Sequence, residues 1–125
     1  MRSKMREYAY EIVYGTLEQG GHSDELFHKM VNKYHIEEHR GFLKRLSYGT
    51  IERAVELDAI LDRVSKVPVM RMDAPVRTIL RMALYELRCM EQIPEAVTCH
   101  EAVELTRKKA GEKRTGFVNG ILRTC

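Results

Sequence analysis

Residues 80–87 read LRMALYEL, and residues 116–123 read GFVNGILR. In the first segment and the residues before it, apolar side chains recur at helical spacing and form one stripe, which predicts a core helix. The second segment mixes apolar residues with glycine, asparagine and arginine, where packing alone would favour only apolar residues. Both segments indicate helices, and no strand-like alternation persists elsewhere in the chain. The sequence therefore predicts an all-α fold.

Start and stop signals divide the rest of the chain into further helices. Residues 2–19 form the first predicted helix, and residues 36–64 form a long run that we expect to bend or break between residues 47 and 55, with Gly49 as the weak point. Residues 73–75 (Asp-Ala-Pro) start the LRMALYEL helix. Thr98 and Glu101 have the spacing of a capping box, which predicts a helix start at Thr98. The last helix, residues 115–125, has no terminating residue, as expected of a domain boundary inside a longer protein.

Length and composition indicate a single globular domain, residues 1–125. The chain is 44% hydrophobic and 31% charged, which is ordinary for a soluble protein. It contains no apolar run of membrane-spanning length and no secretory signal, so we expect a cytoplasmic protein. Its three cysteines lack the spacing of a disulfide framework, and reduced thiols are the simple interpretation.

Positive charge is concentrated at the two ends of the chain, although the net charge is only +3. Arg2, Lys4 and Arg6 lie in the first six residues, and Lys108, Lys109, Lys113, Arg114 and Arg123 lie in the last twenty. Because compact domains often bring their termini together, we expect both clusters to share one surface that binds a polyanion. The alternatives are an ordinary solvated surface and a frayed cationic terminus.

Arg77, Arg81, Tyr85 and Arg88 follow one another at steps of four, four and three residues, so they share a helix face. On a solvent-exposed face, the arginines could bind phosphates and the tyrosine could stack on an unpaired base. The alternative is that Arg81 and Tyr85 serve packing between helices, with Arg81 paired to an acidic neighbour.

The last helix offers a second candidate site around Phe117 and Asn119. Its apolar residues are expected in the core, Phe117 among them. Gly116 and Gly120 would leave backbone exposed on one side, and a helix start near Thr115 would offer N–H donors to an anion. Close helix packing across the two glycines is the alternative.

Signals for catalysis or metal binding are weak. His35 and His39 have ligand-like spacing, but the sequence supplies no third ligand. There is no phosphate-binding glycine loop and no nucleophile elbow. We therefore expect no metal, no cofactor and no enzyme activity in this chain.

The order of three segments is similar to that of the NusB family: LRMALYEL, then HEAVEL at residues 100–105, then GFVNGIL. The resemblance implies a fold of two small helical bundles and an RNA-binding function. The family includes free-standing antitermination factors, which bind boxA RNA together with ribosomal protein S-ten. It also includes the N-terminal domains of RsmB (Sun, Fmu) ribosomal-RNA methyltransferases, which make 5-methylcytosine with S-adenosylmethionine in a separate catalytic domain.

The YGT segment at residues 48–50, Arg123 and the unterminated last helix favour the methyltransferase domain as the main interpretation. The free-standing antitermination factor is the first alternative, and a helical protein–protein adaptor is the second. In the RNA-binding interpretations, the residues expected to contact RNA are Arg2, Lys4, Arg6, Arg77, Arg81, Tyr85, Arg88, Lys108, Lys109, Lys113, Arg114, Phe117, Asn119 and Arg123.

Overall fold

The computed structural model describes residues 2–125, which form seven α helices and two short 3-10 helices. The α helices are α1 (Arg2–Leu17), α2 (Ser23–Tyr34), α3 (Arg40–Glu52), α4 (Ala54–Val64), α5 (Ala74–Cys89), α6 (Glu95–Lys109) and α7 (Thr115–Thr124). The 3-10 helices are Val69–Arg71 and Glu112–Arg114. The predicted all-α fold is confirmed. None of the helices within residues 2–125 is both long and apolar enough to span a membrane.

Two compact units divide the chain between Glu52 and Arg53. The predicted long third helix is therefore two helices, α3 and α4, and the break falls inside the expected interval. The weak point is Arg53 rather than Gly49, which is buried inside α3. The two helical bundles implied by the family resemblance correspond to these two units.

Unit 1 contains α1, α2 and α3, and α1 packs against both of the others. Its core consists of apolar side chains at helical spacing: Met5, Ala9, Ile12, Val13, Phe27, Val31, Phe42, Leu43 and Leu46. A glycine turn links α1 to α2. Gly20 has a φ of 73°, and the Gly21 N–H donates to the Gly15 carbonyl at 2.8 Å. This turn folds α2 back beside α1.

Unit 2 contains α4 to α7 around the central helix α5, which contacts the other three. Ten of the sixteen residues of α5 are buried. The apolar stripe from Val76 to Leu84 is buried as predicted, but polar residues on the other sides of α5 are buried too. Because helices pack on several sides of α5, this helix has no broad solvent-exposed face.

The start of α6 differs from the sequence prediction. The helix begins at Glu95, directly after Pro94, so the predicted capping box at Thr98 is wrong. Thr98 lies inside the helix, where it is buried and donates its hydroxyl proton to Glu86 Oε1 at 3.1 Å. Thr98 therefore makes a buried polar contact between α6 and α5, although its spacing from Glu101 is that of a capping box.

Candidate nucleic-acid interface

The connection between α6 and α7 concentrates exposed positive charge in unit 2. Lys108 and Lys109 lie in the last turn of α6, while Lys113 and Arg114 lie on the following 3-10 helix, and all four are exposed. Cations are favourable at a helix C-terminus because they oppose the negative end of the helix dipole. We define the basic turn as these four residues: Lys108, Lys109, Lys113 and Arg114.

Gly111 makes this turn possible. Its backbone has φ 100° and ψ 158°, a conformation that is essentially restricted to glycine. Its N–H donates to the Thr106 carbonyl at 3.0 Å, which closes the end of α6. The chain then changes direction and enters the 3-10 helix that leads into α7.

Ion pairs hold two arginines at the basic turn. Arg107 Nε lies 2.9 Å from Glu112 Oε2, and Arg107 also pairs with Glu104. Arg114 Nε lies 2.6 Å from Asp73 Oδ2, just before the first turn of α5. Both partners of each pair are substantially exposed, so these pairs add little stability and can exchange with another anion.

Helix α7 buries one face and leaves the other accessible. Val118, Ile121 and Leu122 are buried, whereas Gly116, Gly120 and Arg123 are exposed and Phe117 is only half-buried. The expectation that Phe117 is a core residue is therefore wrong. A Cβ atom added at Gly116 or Gly120 would meet no atom within 4 Å, so close helix packing does not explain these glycines.

Two clefts lie beside the accessible side of α7. One, of about 460 Å³, is bordered by α6 and α7 and is lined by residues that include Cys99, His100, Thr115, Gly116 and Asn119. The other, of about 230 Å³, is lined by residues that include Val67, Met72, Arg114 and Phe117. Asn119 and Phe117 thus each border an opening, and neither is sealed in the core.

The prediction that the start of α7 offers a free N–H donor to an anion is wrong for Thr115. The Thr115 N–H already donates to the Glu112 carbonyl, because the 3-10 helix leads directly into α7. The Thr115 hydroxyl donates to the same carbonyl at 2.8 Å. Thr115 therefore does not present an open N–H donor to a ligand.

The predicted exposed stripe on α5 is wrong for Arg81 and Tyr85, which are 5% and 6% exposed. Arg81 donates from Nε to Asp58 Oδ1 at 2.7 Å and from Nη2 to Asp58 Oδ2 at 2.9 Å. This two-pronged pair is the alternative that the sequence left open. Arg77 is half-buried and donates to the Met72 carbonyl at 3.0 Å, and only Arg88 is exposed.

In unit 1, the basic N-terminal segment is helical from Arg2 and is neither an arm nor a frayed end. The guanidinium carbons of Arg2 and Arg6 lie 4.7 and 5.3 Å from the centre of the Phe42 ring. Arg6 is 5% exposed, so its expected position in an open basic cluster is wrong. Arg2 and Lys4 remain exposed. The expected convergence of both basic clusters on one surface stays a prediction.

Sequence reasoning missed an aromatic pair in unit 1. The rings of Tyr8 on α1 and Tyr34 on α2 stack at 4.8 Å between centroids, with 22° between their planes. Lys4 and Lys33 lie over the two rings. No local spacing rule reveals this pair, because its members are 26 positions apart and meet only when α1 and α2 pack.

The cleft beside α6 and α7 contains a thiol whose surroundings disfavour its ionised form. Cys99, His100 and Asn119 line one cleft together, which brings a thiol, an imidazole and an amide close. Burial, with a smaller contribution from the negative charge of Glu95, raises the pKa of the Cys99 thiol, which disfavours the reactive thiolate. Within the described chain, no three His, Cys, Asp or Glu side chains form a group that could hold a metal ion.

Comparisons with known proteins agree with this architecture. The model of the NusB family matches residues 3–125. The transcription antitermination protein NusB of Rubrobacter xylanophilus is 37% identical over 123 residues, which cover 98% of this chain and 87% of that protein. The probable ribosomal RNA small subunit methyltransferase B of Bacillus subtilis is 28% identical over 124 residues, which cover 98% of this chain but 28% of that protein.

Solved structures agree as well. A crystal structure of the antitermination factors NusB and NusE in complex with double-stranded RNA superposes with a TM-score of 0.89 at 26% identity, over 98% of this chain and 93% of that one. NusB of T. maritima superposes with a TM-score of 0.89 at 25% identity, over 99% and 89% of the two chains. The family resemblance inferred from the three sequence segments is thus confirmed, and the chain belongs to the NusB family.

Proposed function

We propose that this chain is an RNA-binding factor that acts in transcription antitermination, as the NusB proteins it is similar to do. The observation that carries the proposal is the 37% identity with the Rubrobacter xylanophilus protein across 87% of that protein's length. The methyltransferase relative is less similar, at 28% identity, and the match covers 28% of its length. The comparisons therefore favour the first alternative raised by the sequence over its main interpretation.

The geometry of unit 2 supports RNA binding. The basic turn supplies cations for phosphates, and α7 exposes backbone at Gly116 and Gly120 beside the half-buried Asn119. An asparagine amide can donate to and accept from a base edge, and a half-buried aromatic ring beside a cleft, such as that of Phe117, can contact an unstacked base. We assign RNA contacts in unit 2 to the basic turn, Phe117, Asn119 and Arg123.

Arg81 and Tyr85 are left out of the proposed interface, because both are buried and Arg81 is held by Asp58. Arg77 and Arg88 are retained with the exposed N-terminal cations Arg2 and Lys4. Ribosomal protein S-ten is the proposed protein partner, since a NusB relative has been solved together with NusE, which is ribosomal protein S-ten, and double-stranded RNA.

Salt-dependent binding of boxA RNA tests the proposal. Reversing the charge of Lys108, Lys109 and Lys113 to glutamate should weaken binding and flatten the dependence of log affinity on log salt. The slope should change by about 0.7 for each lost phosphate contact to single-stranded RNA, or roughly 2 in all. The matched control reverses three exposed cations elsewhere in unit 2, namely Arg53, Arg63 and Lys66.

The two charge-reversal variants distinguish a local contact from an effect of net charge. If the salt slope falls by roughly 2 in the basic-turn variant and stays near normal in the control, the RNA phosphates contact the basic turn. Equal losses in both variants would show that only net charge matters and would refute the assignment. Preference for boxA over scrambled RNA, strengthened by S-ten, separates antitermination from ribosomal-RNA recognition by a methyltransferase domain. Salt-insensitive partner binding without RNA affinity would instead favour the adaptor.

A further inference from the structure

We propose that the stacked pair Tyr8–Tyr34 is a platform on which an unpaired base of the bound RNA stacks. This inference rests on the proposed RNA-binding function and adds a second type of contact to it. The basic turn contacts phosphates, whereas the tyrosine pair contacts a base through its ring face. Its occupant is therefore single-stranded RNA.

The exposure of the pair is the first reason. Tyr34 is the last residue of α2 and is 45% exposed, while Tyr8 is half-buried on α1. Their near-parallel rings cover one face of each other, so a base could stack only on an outer face, and the ring of Tyr34 is the more exposed of the two. A nucleobase stacks on such a plane with little dependence on its identity, because every base has a π face.

The charge around the pair is the second reason. Lys4 Nζ lies 5.7 Å from the centre of the Tyr8 ring, and Lys33 Nζ lies 5.2 Å from the centre of the Tyr34 ring. Both lysines have long flexible side chains that can move from a ring to the phosphates of a stacked nucleotide. An aromatic plane between two cations is complementary to a base attached to its anionic backbone.

Acidic neighbours restrict where the backbone can run. Glu7 precedes Tyr8, and Glu11 lies three residues after it on the same helix. These carboxylates repel phosphates, so the RNA backbone should pass on the side of Lys4 and Lys33. Reversal of either lysine should therefore weaken binding more than reversal of a cation that lies outside both the platform and the basic turn.

A purely structural role for the Tyr8–Tyr34 pair does not account for the exposure of Tyr34. The helices α1 and α2 already pack through buried apolar residues such as Ala9, Ile12 and Phe27. A ring that is 45% exposed adds limited packing to that core. A stabilising role would also make leucine a fair substitute at Tyr34, since leucine retains apolar contact but has no aromatic plane.

The test compares Tyr34→Leu with Tyr34→Phe in the full chain. The RNA probe is boxA RNA in which the fluorescent base 2-aminopurine replaces each unpaired adenine in turn. We expect Tyr34→Phe to bind as the unaltered chain does, and Tyr34→Leu to bind about 5-fold or more weakly, as the loss of one stacked base implies. One 2-aminopurine position should be quenched by the unaltered chain and by Tyr34→Phe, but not by Tyr34→Leu.

The controls separate this inference from the proposed function. Lys108→Glu in the basic turn should weaken binding but leave the quenching of the remaining complex unchanged. If Tyr34→Leu binds with unchanged affinity and unchanged quenching while Lys108→Glu weakens binding, the platform is refuted and the proposed function stands. If the unaltered chain binds no RNA, both are refuted.

Two further outcomes also decide against the platform. A large drop in the thermal midpoint of Tyr34→Leu, with affinity restored at low temperature, would assign the pair a structural role. Loss of S-ten binding in Tyr34→Leu, with RNA binding unchanged, would show that the surface contacts protein rather than RNA.

Discussion

Removing Asp58 should destabilise unit 2 strongly, because Asp58 accepts two hydrogen bonds from the buried guanidinium of Arg81. The side chains are 6% exposed for Arg81 and 22% exposed for Asp58. Removing one partner of a buried ion pair typically costs about 3–5 kcal/mol, since the other charge stays desolvated. Because water reaches part of Asp58, we expect Asp58→Ala to lower the free energy of unfolding by about 3 kcal/mol, near the lower end of that range.

Urea unfolding followed by circular dichroism measures this loss. Glu104→Ala is the exposed control, because its pair with Arg107 is 46% and 42% exposed and should contribute less than about 1 kcal/mol. Replacing both buried partners, with Asp58→Leu and Arg81→Met together, should recover most of the stability. A loss from Asp58→Ala no larger than that of the control would contradict a buried ion pair between Asp58 and Arg81. The double variant should also keep its RNA affinity, and a clear loss would return Arg81 to the interface.

Three further outcomes follow from single residues. Burial, and then the hydrogen bond donated to Asp24, raise the pKa of Tyr48 from 10.0 to about 12. The folded state keeps a proton that the unfolded state releases, so stability is complete below pH 10 and declines as the pH rises towards 12, and Tyr48→Phe should flatten this decline in urea unfolding. Gly111→Ala should cost about 1–3 kcal/mol in the same assay, because the backbone conformation at Gly111 strains any other residue. Gly120→Ala should stabilise α7 by up to about 1 kcal/mol but weaken RNA binding in a titration, if RNA approaches its backbone.

Local sequence signals predicted the helices well. Periodicity identified the core stripe of α5, and the residues Asp-Ala-Pro at 73–75 marked its start. The break between α3 and α4 fell in the expected interval. These features depend on residues within one or two helical turns of each other, and such short-range effects are what propensity and spacing describe.

Sequence signals of two polar residues, Thr98 and Arg81, lead to wrong predictions because these residues make tertiary contacts. Thr98 and Glu101 have the spacing of a capping box, yet the Thr98 hydroxyl contacts Glu86 on another helix. Arg81 has the position of a surface residue on α5, yet it is buried and pairs with the partly exposed carboxylate of Asp58 on α4. In each case a polar residue is buried because a partner distant in sequence satisfies it, and spacing along one helix carries no information about that partner.

The same limit explains why candidate RNA contacts could be predicted at α7, whereas the Tyr8–Tyr34 pair of unit 1 could not. At α7, the signal lies in residue types that packing does not require: two glycines without close neighbours and an asparagine beside a cleft. Tyr8 and Tyr34, by contrast, are ordinary helix residues until α1 and α2 bring their rings to 4.8 Å. A residue that departs from the needs of its own helix can be recognised from sequence, whereas a site assembled from two unremarkable helices requires coordinates.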